Sequence, residues 1–311
     1  MRRILPLLLS AAIVLPAAPI PPRESSVRIP VWIEGEAPSA APQFEALLNN
    51  KEARVTATRG PGSDQVILVV LDLTGDISLI DSARQALIAE IGKLPANCWV
   101  GLLRDQDGLH VLADPAPDRR PVTDAIQLLT PSGTPGLLDT VDGALALADS
   151  MAHKSDARLA VLYVTDSDIN AYRQDYTNPV INQSDPHDLS RRFPEALVQE
   201  KISKLQGLIS VSQPPLFIVH LNNFTSTLNR AYLNGLKVLA DSSGGSSVIC
   251  RSIAEIPDAI HQVFTRINNG WSLTVQLPPK PKSNLQVRVS AKSKDGDVRL
   301  LWRQHLTLRG K

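Results

Sequence analysis

Two apolar runs limit this chain more than any other feature. QVILVVLD (65–72) and ARLAVLYVTD (157–166) have no polar face, and PLFIVHLN (215–222) reads as a further strand. A strand with no polar face must be covered on both sides, which is the situation of a strand inside a parallel sheet. Between and after these runs lie amphipathic segments. In SLIDSARQALIAEIGKL (78–94), Ile80, Ala83, Leu87, Ile91 and Leu94 recur at helical spacing. The segments 136–151, 193–209, 226–241 and 253–270 read as helices in the same way. Buried strands alternating with helices imply an α/β unit with helices on both faces of a mostly parallel sheet.

Further elements fill in the unit. NCWVGLLRDQ (97–106) and LHVLAD (109–114) read as strands joined by Asp107-Gly108, a two-residue hairpin signal that makes the second of them antiparallel to the first. SSVIC (246–250) reads as a short last strand, and Ser242 to Ser247 (SSGGSS) as the turn that leads from a helix into it. The resulting α/β unit spans 64–270. Strand-like fragments lie on either side, VRIPVWI and ARVTAT before it and WSLTVQL, NLQVRVSAK and VRLLWRQHLTL after it. Each flank, 21–63 (linker and N-terminal β flank) and 271–311 (C-terminal β flank), is too short to fold alone. The two are expected to pair as one small accessory sheet.

The first twenty residues, MRRILPLLLSAAIVLPAAPI, put Arg2 and Arg3 before an apolar stretch shorter than a membrane span. They read as a signal peptide (1–20), which implies an exported chain, periplasmic or extracellular, with no membrane span once the peptide is removed. Lys and Arg number 32 against 31 Asp and Glu, so no overall field draws the chain to nucleic acid. Two cysteines, Cys98 and Cys250, are too few for a disulfide-stapled scaffold or a Cys-rich zinc site.

In open α/β sheets the functional crevice lies beyond the carboxyl ends of the strands. Hydroxyls and carboxylates collect there from three segments. Asp72-Leu73-Thr74-Gly75-Asp76 ends the first buried strand. Ser132-Gly133-Thr134-Pro135 precedes the second long helix, and Thr165-Asp166 ends the second buried run. Their order and spacing resemble the von Willebrand factor A (VWA) domain, and among its members the secreted bacterial "VWFA-related" proteins. The resemblance covers about 240 of the 311 residues. It implies a Rossmann-like, doubly wound, six-stranded sheet of order 3-2-1-4-5-6. In that order Cys98 and Cys250 fall on strands about 19 Å apart; a disulfide needs Cα atoms within roughly 7 Å, so both are expected to be free and buried. It also implies a metal-ion-dependent adhesion site (MIDAS), in which Asp72, Thr74, Asp76, Thr134 and Asp166 hold the metal.

An oxygen-only donor set of this kind suits a hard cation, Mg²⁺ first, with Ca²⁺ or Mn²⁺ as alternatives. The implied function is protein–protein interaction or adhesion, through a cation that accepts an acidic side chain of a protein partner. The sequence departs from the family at Asp76, where a carboxylate stands in place of a serine hydroxyl. That change leaves open a degenerate site with no metal, in which case the chain is a metal-independent scaffold. A metal-dependent hydrolase using the same carboxylates is the other alternative. The sequence has no GxSxG elbow, no phosphate-binding GxxxxGK and no HExxH, so a non-enzymatic role is expected. The polar insertion 167–192, with Tyr172, Arg173 and Tyr176, is expected to overhang the crevice as a partner-reading loop.

Overall fold

The computed structural model describes residues 26–34, 40–131, 133–172, 194–222, 226–294 and 296–308. The signal-peptide segment 1–20, most of the insertion (173–192) and Ser132 lie outside the described residues.

The central sheet is built from β5 (Gln65–Asp72), β6 (Cys98–Asp105), β7 (Leu109–Ala116), β8 (Arg158–Thr165), β9 (Leu216–His220) and β10 (Ser246–Ile249). Their lateral order is β10-β9-β8-β5-β6-β7. Counted along the chain this is the doubly wound order 3-2-1-4-5-6, as expected. All pairs are parallel except β6–β7. The antiparallel hairpin forms as expected, but the register pairs Asp105 with Leu109, so three residues, Gln106 to Gly108, make the turn rather than two; Asp107 (φ 54°) and Gly108 (φ 107°) both take positive φ. Every residue of β5 and β8 is buried, so their apolar runs are the centre of the fold.

Helices cover both faces: α1 (Ile77–Lys93), α2 (Arg120–Leu128), α3 (Leu137–Lys154), α4 (Pro194–Ile209), α5 (Thr227–Ser243) and α6 (Ile256–Asn268). On one face α1 and α6 pack Ile80, Leu87, Ile260 and Phe264 onto Ile67, Val69 and Phe217. On the other, α3, α4 and α5 pack Val141, Leu145, Val198 and Leu236 onto Leu68, Val70 and Ile218. Burying one such side chain contributes roughly 1.5–3 kcal/mol, so the alternating strand faces dominate stability. Helix α5 ends at Gly244, left-handed at φ 88°, the stop expected of SSGGSS. Cys98 and Cys250 are free and buried, on β6 and just beyond β10 as expected.

The flanks depart from expectation. They do not make one sheet. β1 (Ser26–Ile33), β4 (Val55–Arg59), β11 (Trp271–Gln276) and β14 (Leu300–Trp302) form one sheet in the order β14-β1-β11-β4. β2 (Gln43–Leu48), β3 (Lys51–Ala53), β12 (Asn284–Ser293) and β13 (Gly296–Asp297) form a second, with β15 (His305–Thr307) paired to β12. The two share a core of Val27, Ile29, Ala46, Leu273, Val287 and Val289. The physical reason is the strict alternation along β12, buried at every second residue; a sheet with one apolar face needs a second sheet to cover it. VRIPVWI forms the strand it reads as, with Ser26–Val31 paired antiparallel to Trp271–Gln276. The expected single strand 298–308 is broken at Arg303, which turns inward and is 2% exposed. Helix α2 has no counterpart in the sequence reading.

Candidate functional site

Parallel strands bring Asp72, Thr165 and Asp166 to one rim. The β5–β8 register sets Asp72 beside Thr165, and the Asp166 N–H donates to the Asp72 carbonyl at 3.3 Å. Asp72 is fully buried and accepts three hydrogen bonds. Its Oδ1 takes the Gly136 N–H (3.1 Å), and its Oδ2 takes the hydroxyls of Thr165 and Ser167 (2.9 Å each). The Thr134 loop is thus tied to Asp72 through Gly136, two residues further on.

Asp166 has a separate task. Its Oδ1 accepts from the Thr74 N–H (2.7 Å) and its Oδ2 from the Gly75 N–H (2.8 Å), with the Thr74 hydroxyl at 3.5 Å from Oδ1. The carboxylate therefore shapes the β5–α1 loop. Asp76 is the exposed N-cap of α1, and its Oδ1 accepts from the backbone N–H and hydroxyl of Ser78 at 2.8 and 2.6 Å. Those hydrogen bonds hold its carboxyl below the usual range. Thr134 is turned towards the β6–β7 hairpin, with its N–H and hydroxyl both donating to Asp107 Oδ1 at 3.1 Å. Of the five residues singled out in the sequence, Asp72, Thr74 and Asp166 thus join through one network. Thr134 and Asp76 border it, each with a partner of its own.

Three residues of the rim were absent from the sequence reading: Asp105, Asp107 and Ser167. Asp105 ends β6. The β5–β6 register pairs Leu71 with Arg104, so the next position along sets Asp105 beside Asp72. A strand ending in Arg-Asp next to one ending in Leu-Asp was the available signal. Asp105 is fully buried, and its Oδ2 accepts from the Thr140 hydroxyl. Its Oδ1 has no partner, and a Cβ on Gly136 would collide with that oxygen. Burial, and then the nearby Asp105 charge, push the Asp72 carboxyl up to about 7. Burial first, with Asp139 adding repulsion against the Thr140 hydrogen bond, pushes Asp105 up to about 6. Neither carboxylate forms an ion pair among the described residues.

Below the acids, Tyr163 and Tyr172 are buried. Tyr172 does not overhang the crevice as expected. It packs 5.9 Å from the Tyr232 ring and its hydroxyl accepts from the Leu138 N–H at 3.4 Å; an aromatic ring with one polar tip is best placed in such a half-polar core. The neighbouring insertion residues Arg173 and Tyr176 fall outside the described residues.

The chemistry of the rim is that of oxygen donors around a buried negative centre. All its side-chain donors are hard oxygens, and one fully buried carboxylate oxygen has no partner. Both properties fit a divalent cation. Among the described residues no group of three or more His, Cys, Asp or Glu side chains is arranged as a metal cage.

No family model matches this sequence, and no curated protein does. The chain is similar, at low identity, to solved structures. One is von Willebrand factor type A from Catenulispora acidiphila (12% identity, 93% of this chain and 76% of that one, TM-score 0.45). Another is the vWF domain of the type V pili tip protein Mfa5 from Porphyromonas gingivalis (15% identity, 66% and 95%, TM-score 0.46). A third is proximal thread matrix protein 1 from the mussel byssus (10% identity, 67% of this chain, TM-score 0.42). This chain spans 49% of the length of the mussel protein.

Proposed function

We propose that this chain is an exported protein-interaction module whose rim crevice takes an acidic side chain of a protein partner with the help of a divalent cation. The observation that carries the reading is the uncompensated negative charge at the rim. Asp72 and Asp105 are buried side by side with no ion pair among the described residues, and Asp105 Oδ1 is unpartnered. Burying like charges without a counter-charge is costly, and a cation at the rim relieves it. Thr74, Thr134 and the second carboxylate oxygen of Asp76 are the candidate ligands, with Asp72 and Asp166 behind them. When bound, a divalent cation supplies an open coordination position for a carboxylate. Thr165, Ser167 and Gly136 hold Asp72 in place, and the Thr74 and Gly75 N–H groups hold Asp166.

A binding role is preferred to hydrolysis on the same geometry. The Ser167 hydroxyl donates to Asp72, while His220 Nε2 meets the Ser167 carbonyl at 2.7 Å rather than the hydroxyl. That arrangement does not couple a nucleophile to a base. A metal-independent scaffold is the second reading. It is favoured by the internal partners that Thr134 and Asp76 already have, Asp107 and Ser78.

Thermal melts with Mg²⁺, Ca²⁺ or Mn²⁺ against chelator separate the two. The metal reading expects a rise of several degrees that Asp72→Asn removes. Identical melts in metal and chelator, together with partner binding indifferent to chelator, select the scaffold.

A further inference from the structure

The even charge balance of the whole chain hides an uneven one. Residues 271–311 hold nine Lys and Arg against two Asp, whereas residues 64–270 hold 16 Lys and Arg against 24 Asp and Glu. Residues 21–63 are balanced, five against five. The accessory sandwich is thus the basic part of an otherwise acidic molecule. We propose that a basic groove on the sandwich docks the chain on an anionic lipid bilayer, with the acidic rim turned away from the surface.

Lys51, Arg54, Lys280 and Lys282 line an open groove of about 480 Å³, and Glu52 is the one acid among its lining residues. All four cations are exposed, and none forms an ion pair among the described residues. The frame that carries them is fixed. β2 and β3 turn through Asn49 and Asn50, both at positive φ (51° and 63°), with Leu48 paired to Lys51. That turn is tied to β12 twice: the Asn49 N–H donates to the Gln286 carbonyl at 2.8 Å, and the Gln286 N–H donates to Asn49 Oδ1 at 3.0 Å. On the other wall the Gln276 N–H donates to the Arg54 carbonyl at 2.9 Å. Lys280 and Lys282 stand among Pro278, Pro279 and Pro281, whose rings restrict that segment.

Cations without counter-charges, spread over an open surface rather than gathered in a closed pocket, suit a plane of phosphate headgroups. Each Lys or Arg held at such a surface strengthens binding about fivefold, and four together on the order of a few hundredfold. The rim is spared the repulsion. The sandwich meets the base of the central sheet, where Arg28 donates to the Ala157 carbonyl just before β8. The eight residues of β8 then put the rim roughly 25 Å further on, more than two screening lengths in about 0.1 M salt.

The course of the chain favours a bilayer over other anionic partners. Ser26, the first residue of β1, pairs with Gln276 on the groove wall. Ten residues separate it from the apolar stretch Ile4 to Leu15, a reach of at most about 35 Å. A membrane that holds this stretch therefore lies within reach of the groove. One short apolar segment gives only weak attachment, and a basic patch beside it is the usual second signal. A second copy of the chain offers less, because its Asp72 and Asp105 carboxylates are buried.

Sedimentation with vesicles of phosphatidylglycerol and phosphatidylcholine in equal parts tests the proposal. It uses the full chain and, beside it, the chain from residue 21, which keeps every described element. Both are expected to bind. The shorter chain is expected to ignore vesicles of phosphatidylcholine alone and to let go in about 1 M NaCl, where the screening length is about 3 Å. Chelator is expected to change nothing, which separates this surface from the cation at the rim. In the shorter chain, Lys280→Ala with Lys282→Ala is expected to weaken binding roughly 25-fold. Arg230→Ala with Lys237→Ala makes the same change of charge at exposed positions of α5, and is expected to cost less than about twofold. Binding by the full chain alone, or equal losses in the two variants, overturns the proposal. So does binding to soluble polyglutamate as tight as to the vesicles, or salt-sensitive self-association in place of vesicle binding; these assign the groove to an acidic polymer or to a second copy.

Discussion

The two ends of the central sheet bury opposite charges, and they solve the problem differently. At the carboxyl rim, Asp72 and Asp105 sit side by side and are stabilised only by hydroxyl and N–H donors. At the base, two buried arginines (Arg158 and Arg303) and two half-buried ones (Arg28 and Arg119) meet carbonyls at the ends of helices. Arg119 reaches Ile91 at the end of α1, and Arg28 reaches Ser155 after α3. Arg303 reaches Ile209, Ser210 and Ser212 at the end of α4, and Arg158 reaches Ile267 and Gly270 at the end of α6. In a parallel α/β fold, helices of the crossovers start at the rim and finish at the base. Their N–H ends therefore favour carboxylates above, and their carbonyl ends favour guanidinium groups below. The base is then closed by the accessory sandwich, whereas no sheet among the described residues covers the rim. A closed end can satisfy its charges permanently; an open end can leave part of its charge for a ligand.

The sharpest break of this contrast is Arg303→Ala. It removes the guanidinium from three carbonyls at the junction of α4 and the sandwich; Ile209 and Ser210 keep N–H donors from Ser212 and Thr307, and the buried Ser212 carbonyl loses the arginine. We expect a loss of about 3 kcal/mol or more in urea unfolding. A loss no larger than that of a surface arginine would mean the base is not held by these caps.

The rim has an opposite dependence on pH. A buried carboxyl whose pKa is raised on folding keeps its proton while the unfolded chain loses it. The unfolded state then binds fewer protons, and stability falls as pH rises. For Asp72, pushed up to about 7, and Asp105, to about 6, the decline runs from about pH 4 to pH 7 and amounts to a few kcal/mol. Asp105→Asn is expected to remove the Asp105 share and lessen that of Asp72, leaving the decline that burial of Asp72 causes, and saturating Mg²⁺ is expected to flatten the profile in the wild type. A stability profile that climbs across this window would contradict the buried pair.

A smaller effect sharpens the role of Asp76. Asp76→Ser keeps an N-capping oxygen for α1 and replaces the carboxylate with the family's hydroxyl. We expect an almost unchanged melt in chelator and a changed Mg²⁺ midpoint. Asp76→Ala is expected to lower the melt slightly with or without metal. If Ser and Ala behave alike in the metal titration, Asp76 is a cap and nothing more.

The sequence by itself determined the sheet. QVILVVLD and ARLAVLYVTD have no polar face to show to water, so they had to lie at its centre, and Asp107-Gly108 had to turn a hairpin. It also determined that Asp72, Thr74 and Asp166 reach one rim, because each follows or ends a parallel strand. Only the tertiary structure decided the partners of these groups. Asp105 became the neighbour of Asp72 through strand register, and Asp107 took the Thr134 hydroxyl because the positive-φ turn lies beside that loop. Arg303 broke what reads as one continuous strand, because the carbonyls at the end of α4 offered its guanidinium acceptors that a strand position could not. Periodicity records which side of an element is buried. It does not record which distant donor or acceptor that side will meet, and hydrogen bonds across elements are fixed only when the layers close.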